Sequence, residues 1–187
     1  PNKAKSLLAD AGWKDSNGDG ILDKNGQPLT VSMALQSWGY IQPLGEILQA
    51  QLKQIGIDVR TEMLTYPAQM EAAQKGDKNM TVMGGSGYFA FDAMTGFFYS
   101  TNAEKGFNWS KVQDKSLDAL LDEAMRTQSL DQRKQIYAKA QQSIMQQALI
   151  LPIYDYALPS GLNKKVKDVK WSRTGLTPYM YDAYVAK

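Results

Sequence analysis

Two runs of alternating apolar and polar residues, separated by a helical pattern, constrain the fold of this chain more than any other feature. In the runs 29–35 and 57–63, an apolar side chain or threonine occupies every second position. Between the two runs, apolar residues recur at helical spacing from Leu44 to Ile55, and Gly56 follows them. Two parallel strands need a long crossover between them, which is usually a helix. The sequence therefore predicts an α/β fold with a parallel strand–helix–strand unit.

The same periodicities predict the other elements of the chain. Asn25-Gly26 is typical of a tight hairpin turn, and Gly12 stands where a left-handed residue would end the first helix. Ser129 and Gln132 form a capping-box pattern at the start of a long helix. The alternation and helical spacing predict further helices at 4–11, 67–74, 117–125 and 129–147, and further strands at 80–84 and 148–154.

The composition excludes several classes of function. The chain of 187 residues has no cysteine and no histidine, so it can form neither a disulfide nor a thiolate or imidazole metal site, and no catalytic triad that uses histidine. The net charge is +2 and no basic cluster stands out, so nucleic acid is not an expected partner. The chain starts inside a helical pattern, and we expect it to be an excised fragment of a longer protein.

An Asp-rich stretch matches the first half of a calcium-binding loop. Oxygen-bearing side chains alternate at Asp15, Asn17 and Asp19, a glycine follows at the sixth position, and Asp23 stands at the ninth. The twelfth position, where a bidentate glutamate is required, is Gly26. The stretch therefore predicts either a calcium site or a tight turn, which the same residue types favour.

The stretch 80–100 combines glycines with aromatic residues. A short apolar run leads into Gly84, Gly85 and Gly87, and six aromatic residues follow within a dozen positions, with Asp92 as the one charge among them. Glycines allow a close approach of the backbone to another surface, and aromatic side chains offer apolar area with a polar edge. The stretch predicts either one wall of a ligand cleft or a strand followed by a turn that fills the core.

Several segments taken together resemble one protein family. They are AKSLLADAGW at 4–13, LQAQLKQIGIDV at 48–59, LDALLDEA at 117–124, the helical segment 131–141, and LPIY at 151–154. Their order and spacing are similar to those of the family 5 extracytoplasmic solute-binding proteins, the dipeptide, oligopeptide and nickel class of ABC-transporter receptors.

The resemblance implies a fold, a location and a mode of action. The fold would be a periplasmic-binding-protein-like α/β lobe, with a mixed sheet flanked by helices. Residues 1–187 would form a single C-terminal lobe, and the tail at about 166–187 would pack toward a missing N-terminal lobe. The protein would be periplasmic or extracellular, membrane-associated in Gram-positive sources. It would bind a small solute without covalent chemistry and deliver it to an ABC permease in the membrane.

The resemblance also implies where the ligand would bind. In this family the cleft segment aligns with 85–93, where Ser86 replaces a tryptophan and Asp92 keeps an aspartate. Phe89 stands where peptide-binding members carry the aspartate that pairs with the α-amino group of the ligand. An aromatic wall suits sugars and opines, and peptides held through their backbone. The expected ligand contacts are Trp38, Tyr40, Ser86, Tyr88, Phe89 and Asp92.

Two functions of other classes remain open from the residues alone. A small α/β enzyme that uses Asp or Glu chemistry would bring two carboxyl groups together in a closed pocket with shifted pKa values. A protein-docking module would present the aromatic stretch as an exposed patch without a concavity.

Overall fold

The computed structural model describes residues 1–37, 39–82, 90–154, 160–172 and 177–186. The helices are α1 Asn2–Asp10, α2 Ile41–Lys53, α3 Tyr66–Lys75, α4 Ala90–Phe98, α5 Asn102–Lys105, α6 Lys115–Arg126 and α7 Leu130–Gln146. The strands are β1 Asp23–Lys24, β2 Gln27–Pro28, β3 Thr30–Gln36, β4 Asp58–Leu64, β5 Met80–Thr81, β6 Val166–Lys167, β7 Lys170–Trp171, β8 Pro178–Tyr179 and β9 Tyr184–Val185.

The predicted strand–helix–strand unit is confirmed. Strands β3 and β4 pair in parallel over seven residue pairs, from Thr30 opposite Asp58 to Gln36 opposite Leu64. Strand β5 pairs in parallel with the other edge of β3, so that the strand order is β4-β3-β5. The central strand carries three consecutive buried residues, 33–35, because helices α2 and α3 both pack against it.

The described residues form two apolar clusters in the core. The first joins the sheet to α2 and contains the buried residues Met33, Leu35, Ile41 and Val59. The second joins α4, α6 and α7 and contains Met94, Leu117, Leu121, Ala140 and Ile144. Between the two clusters, Lys111 Nζ donates to the Gln74 carbonyl at the end of α3 (2.6 Å) and to the Ala103 carbonyl of α5 (2.7 Å).

The predicted turn residues adopt the expected backbone conformations. Asn25 and Gly26 have φ values of 54° and 73° and connect the antiparallel strands β1 and β2, as a two-residue hairpin loop requires. Gly12 has a φ of 85°, and the amide that follows it, of Trp13, donates to the Leu8 carbonyl at 3.0 Å. This bond satisfies a carbonyl at the end of α1.

Side-chain caps begin the two long helices of the second cluster. Ser129 accepts a hydrogen bond from the Gln132 amide at 3.4 Å, which confirms the predicted cap. Asp114 caps α6 by accepting from the Ser116 and Leu117 amides. Two hydrogen bonds, first the one from the Ser116 hydroxyl and next the one from the Leu117 amide, hold the pKa of the Asp114 carboxyl below its usual value.

The predicted buried strand at 148–154 is wrong. Residue Ala148 has a φ of 53°, and the segment that follows it forms no strand among the described residues. Ile150, Leu151 and Ile153 are 48%, 63% and 43% exposed. The apolar side chains of this segment predict burial, but the described part of the chain offers no partner strand for its backbone.

The tail contains order that the sequence did not indicate. Strand β6 pairs with β9, and β7 pairs with β8, both antiparallel. The α/β class is confirmed, with parallel and antiparallel pairing in the same chain. No helix of the described residues is long and apolar enough to cross a bilayer.

Two glycines in helices provide a matched test of the packing. Gly45 of α2 is buried, and a Cβ there would overlap the Leu35 side chain, which is only 2% exposed. For Gly96 of α4, no atom of the described residues lies within 4 Å of a Cβ built at that position. We expect Gly45→Ala to lower the free energy of unfolding by about 1–3 kcal/mol because the core is overpacked. Gly96→Ala should raise it by about 0.5–1 kcal/mol because it reduces the entropy lost on folding.

Urea unfolding of the two variants and the wild type measures both changes. Equal effects of the two substitutions would contradict the close contact between α2 and β3.

Candidate functional site

The carboxyl ends of the three parallel strands meet at one edge of the sheet. Strands β3, β4 and β5 end at Gln36, Leu64 and Thr81, and the Ser37 amide donates to the Leu64 carbonyl at 2.9 Å across the end of the first pair. In open α/β sheets, ligands bind outside this edge. The predicted ligand residue Tyr40 lies here, directly before α2.

Tyr40 is joined to a residue that the sequence analysis did not select. Its ring packs edge-on against the ring of Tyr154, with 5.7 Å between the centroids. Partial loss of water and the hydrogen bond to Tyr40 raise the pKa of Tyr154 to about 12, so the Tyr154 phenol keeps its proton at neutral pH. One feature of the sequence could have identified Tyr154 as a candidate site residue: it is an aromatic residue directly after an apolar run.

The other predicted ligand contacts fall into two groups. Trp38, Ser86, Tyr88 and Phe89 lie outside the described residues. Asp92 is exposed and stands in the first turn of α4. A carboxylate in the first turn of a helix is stabilised by the helix dipole. The structure therefore gives Asp92 a stabilising role in α4, and its contact with a ligand stays a prediction.

The end of the aromatic stretch belongs to the core. Phe98 and Tyr99 pack against the second apolar cluster. The Tyr99 hydroxyl donates to Asp122 Oδ1 at 2.7 Å, and this bond, together with burial, raises the pKa of the Tyr99 phenol. For these two residues the core-filling interpretation holds.

A second aromatic group begins near the end of α4 and continues beyond it. Phe97 and Phe107 have ring centroids 6.0 Å apart, and Phe107 and Trp109 have theirs 5.9 Å apart. Phe107 is 43% exposed, so the group packs on itself and leaves part of its surface open.

The Asp-rich loop is closed by its own hydrogen bonds. Each predicted calcium ligand accepts a hydrogen bond from within the loop: Asp15 from the Gly18 and Gly20 amides, Asn17 from the Asp19 amide, Asp19 from the Ile21 amide, and Asp23 from the Ser16 amide and hydroxyl. The bonds from Ser16 hold the pKa of the Asp23 carboxyl below its usual value. Among the described residues, no three acidic side chains converge as a metal site requires.

Three carboxyl groups of the described residues have a shifted pKa, and none of the three resembles a general acid. Asp23, Glu71 and Asp114, whose pKa values are shifted, are all shifted downward. A groove of about 300 Å³ between β4 and α3 contains Glu62 and Glu71, but each of them is paired with a lysine. A general acid needs a raised pKa, whereas the pKa values of Asp23, Glu71 and Asp114 are lowered.

Comparison with known proteins identifies the family. The sequence profile of the bacterial extracellular solute-binding proteins, family 5 Middle, matches residues 1–108. The oligopeptide-binding protein AppA of Bacillus subtilis is 33% identical over 167 residues, which are 86% of this chain and 31% of that protein. Di/tripeptide-binding protein 1 of Pseudomonas aeruginosa is 29% identical over 145 residues, 77% of this chain and 27% of that protein.

The solved structures agree with the sequence comparison. The structure of AppA from Bacillus subtilis in complex with a nonapeptide matches with a TM-score of 0.77 and 26% identity, over 100% of this chain and 37% of that one. The likeness confirms the predicted periplasmic-binding-protein-like α/β fold. The chain spans about a third of the length of these relatives. From the profile match and the AppA relationship together, this chain is a member of family 5 of the bacterial extracellular solute-binding proteins.

Proposed function

We propose that this chain is the C-terminal lobe of the substrate-binding component of an ABC importer, and that its ligand is a peptide. The observation that carries the proposal is the match of the whole chain to AppA, whose structure holds a nonapeptide. The second relative is also named for peptides. The chain would contribute one wall of the cleft, at the carboxyl edge of the parallel sheet.

The proposed ligand is an oligopeptide held mainly through its backbone. The family resemblance puts Phe89 in place of the aspartate that would pair with an α-amino group, and an unpaired buried ammonium group would be costly. Tyr40 at the sheet edge offers a ring and a hydroxyl group, which suit the apolar and polar parts of a peptide. Contacts from Trp38, Ser86, Tyr88, Phe89 and Asp92 belong to the same proposal.

The proposed mode of action is binding and release without catalysis. The support for this proposal is that the matching relatives are named as binding proteins. In this proposal, closure of two lobes over the peptide presents the loaded receptor to a membrane permease, outside the cytoplasm. The ligand would favour the closed state because it binds that state more tightly than the open one. The difference in binding free energy between the two states sets how far the equilibrium shifts.

The tail would face the other lobe. Among the described residues between 150 and 185, several apolar and aromatic side chains are more than 40% exposed: Leu151 63%, Tyr154 52%, Trp171 42%, Tyr179 57%, Tyr181 98% and Val185 69%. Exposed apolar surface of this extent marks an interaction face. We propose that this face packs against the N-terminal lobe of the same receptor, which also accounts for the exposed apolar segment 150–154. A surface that docks a different protein is the alternative.

A ligand screen tests the proposed function. We expect nonapeptides to raise the melting temperature of the full-length receptor, and disaccharides and opines to leave it unchanged. A ligand at a hundred times its dissociation constant adds about 2.7 kcal/mol to the free energy of unfolding, which thermal denaturation detects. A response to disaccharides or opines with peptides silent would reject the peptide proposal.

Substitutions in β9 and β6 test the proposed face. We expect Val185→Ser to lower the free energy of unfolding of the full-length receptor by about 1.5 kcal/mol or more, as for a valine buried by the other lobe. Lys167→Ser is the control, because Lys167 is exposed on the paired strand β6 and should change stability by less than about 0.5 kcal/mol. A neutral effect of Val185→Ser in urea unfolding would place the other lobe elsewhere.

The Asp-rich loop is proposed to hold its shape without calcium. Asp15→Ala removes the acceptor of two backbone amides and should lower the melting temperature of the full-length receptor by about 1–2 °C. Asp10→Ala, which removes an equal charge at the exposed end of α1, should not lower it. Addition of millimolar Ca²⁺ should leave the wild-type value unchanged. A rise that a chelator reverses would instead identify a calcium site.

A further inference from the structure

A buried glutamine lies behind the carboxyl edge of the sheet. Gln69 of α3 is 2% exposed, and its helix packs against β3. A buried side-chain amide is costly unless its polar atoms have hydrogen-bond partners. At a position that served only packing, an apolar side chain of the same size would avoid that cost.

Both N–H groups of this amide are used at the end of one strand. Gln69 Nε2 donates to Thr81 Oγ1 at 2.9 Å and to the Val82 carbonyl at 2.7 Å. Thr81 is the last residue of β5, and Val82 follows it. The amide therefore fixes the chain at the point where it leaves the sheet.

Strand β5 needs this support because it is short. It pairs with β3 through two residue pairs, whereas β3 and β4 share seven. Asn79 Oδ1 accepts from the Ser32 amide at 2.8 Å just before β5 begins. At its end, the Val82 amide donates to the Ala34 carbonyl at 3.2 Å. Side chains thus hold both ends of β5, and Gln69 provides the hold at the end that faces the proposed ligand.

We infer that Gln69 is a positioning residue for ligand binding: it sets the direction in which the chain leaves β5 at the carboxyl edge of the sheet. The inference rests on the proposed function, since the residues that follow Val82 include the predicted contacts Ser86, Tyr88 and Phe89. Gln69 would act through the backbone of Val82 and would not touch the peptide. Its effect on affinity therefore comes from the placement of other residues.

Gln69→Met tests the inference in the full-length receptor. Methionine has a similar length and keeps the packing, but it cannot donate to Val82. We expect its affinity for the nonapeptide that gives the largest shift in the thermal screen to fall roughly tenfold, which corresponds to one net hydrogen bond. In the receptor without peptide, exchange of the Val82 amide hydrogen should be faster by a similar factor, while amides of α6 and α7 keep their rates.

Gln74→Met is the matched control. Gln74 lies on the same helix and donates through its own Nε2, but to the Glu104 carbonyl, away from β5. This variant should bind the nonapeptide as the wild type does and keep the exchange rate of Val82. A loss of affinity equal in both variants would show a general effect of weakening α3 and would overturn the inference.

The outcomes separate this inference from the proposed function. Wild-type affinity in Gln69→Met, with peptide binding intact in the wild type, overturns the inference and leaves the proposed function standing. Failure of the wild type to bind any nonapeptide rejects the proposed function, and with it a role of Gln69 in peptide binding. In that case unchanged exchange at Val82 would also reject the role of Gln69 in holding the end of β5.

Discussion

The parallel pairing of β3 with β4 determines how the first half of the chain is arranged. Seven aligned residue pairs place Met33, Leu35 and Val59 in one apolar cluster with α2. A shift of the register by one residue would turn these side chains to the opposite face of the sheet. The pairing also directs the carboxyl ends of both strands to the same edge, where Tyr40 directly precedes the crossover helix α2. The proposed site is therefore a consequence of the register.

Polar side chains hold the chain where it changes direction, and they do so while buried. Asn108 is fully buried and donates to the Tyr99 and Val112 carbonyls. Asp118 accepts the Ser100 amide just after α4. Together with Gln69, these residues form hydrogen bonds with backbone groups that have no partner within a helix or a β-sheet. Apolar packing supplies much of the stability, and these groups select one path for the loops.

The sequence predicted elements whose signals are local. Alternation identified β3 and β4, turn chemistry identified the hairpin at Asn25-Gly26, and the capping box at Ser129 identified the start of α7. The segment 148–154 was predicted as a strand from its apolar content, because pairing depends on a partner that local sequence does not reveal. The short strands of the tail were missed for a similar reason. Gln69 and Tyr154 were missed because a site residue that acts through distant contacts carries no local pattern.

The division of the core into two apolar clusters has a consequence for how the chain opens. Among the described residues the clusters share no buried member, and Lys111 links α3 to α5 through two backbone carbonyls. Hydrogen bonds at such a junction break with little exposure of apolar surface, so each cluster can open as its own cooperative unit. The α4–α6–α7 half could then fluctuate while the sheet stays intact. The carboxyl edge of the sheet, where the ligand is proposed to bind, would then stay rigid while the α4–α6–α7 cluster opens more easily.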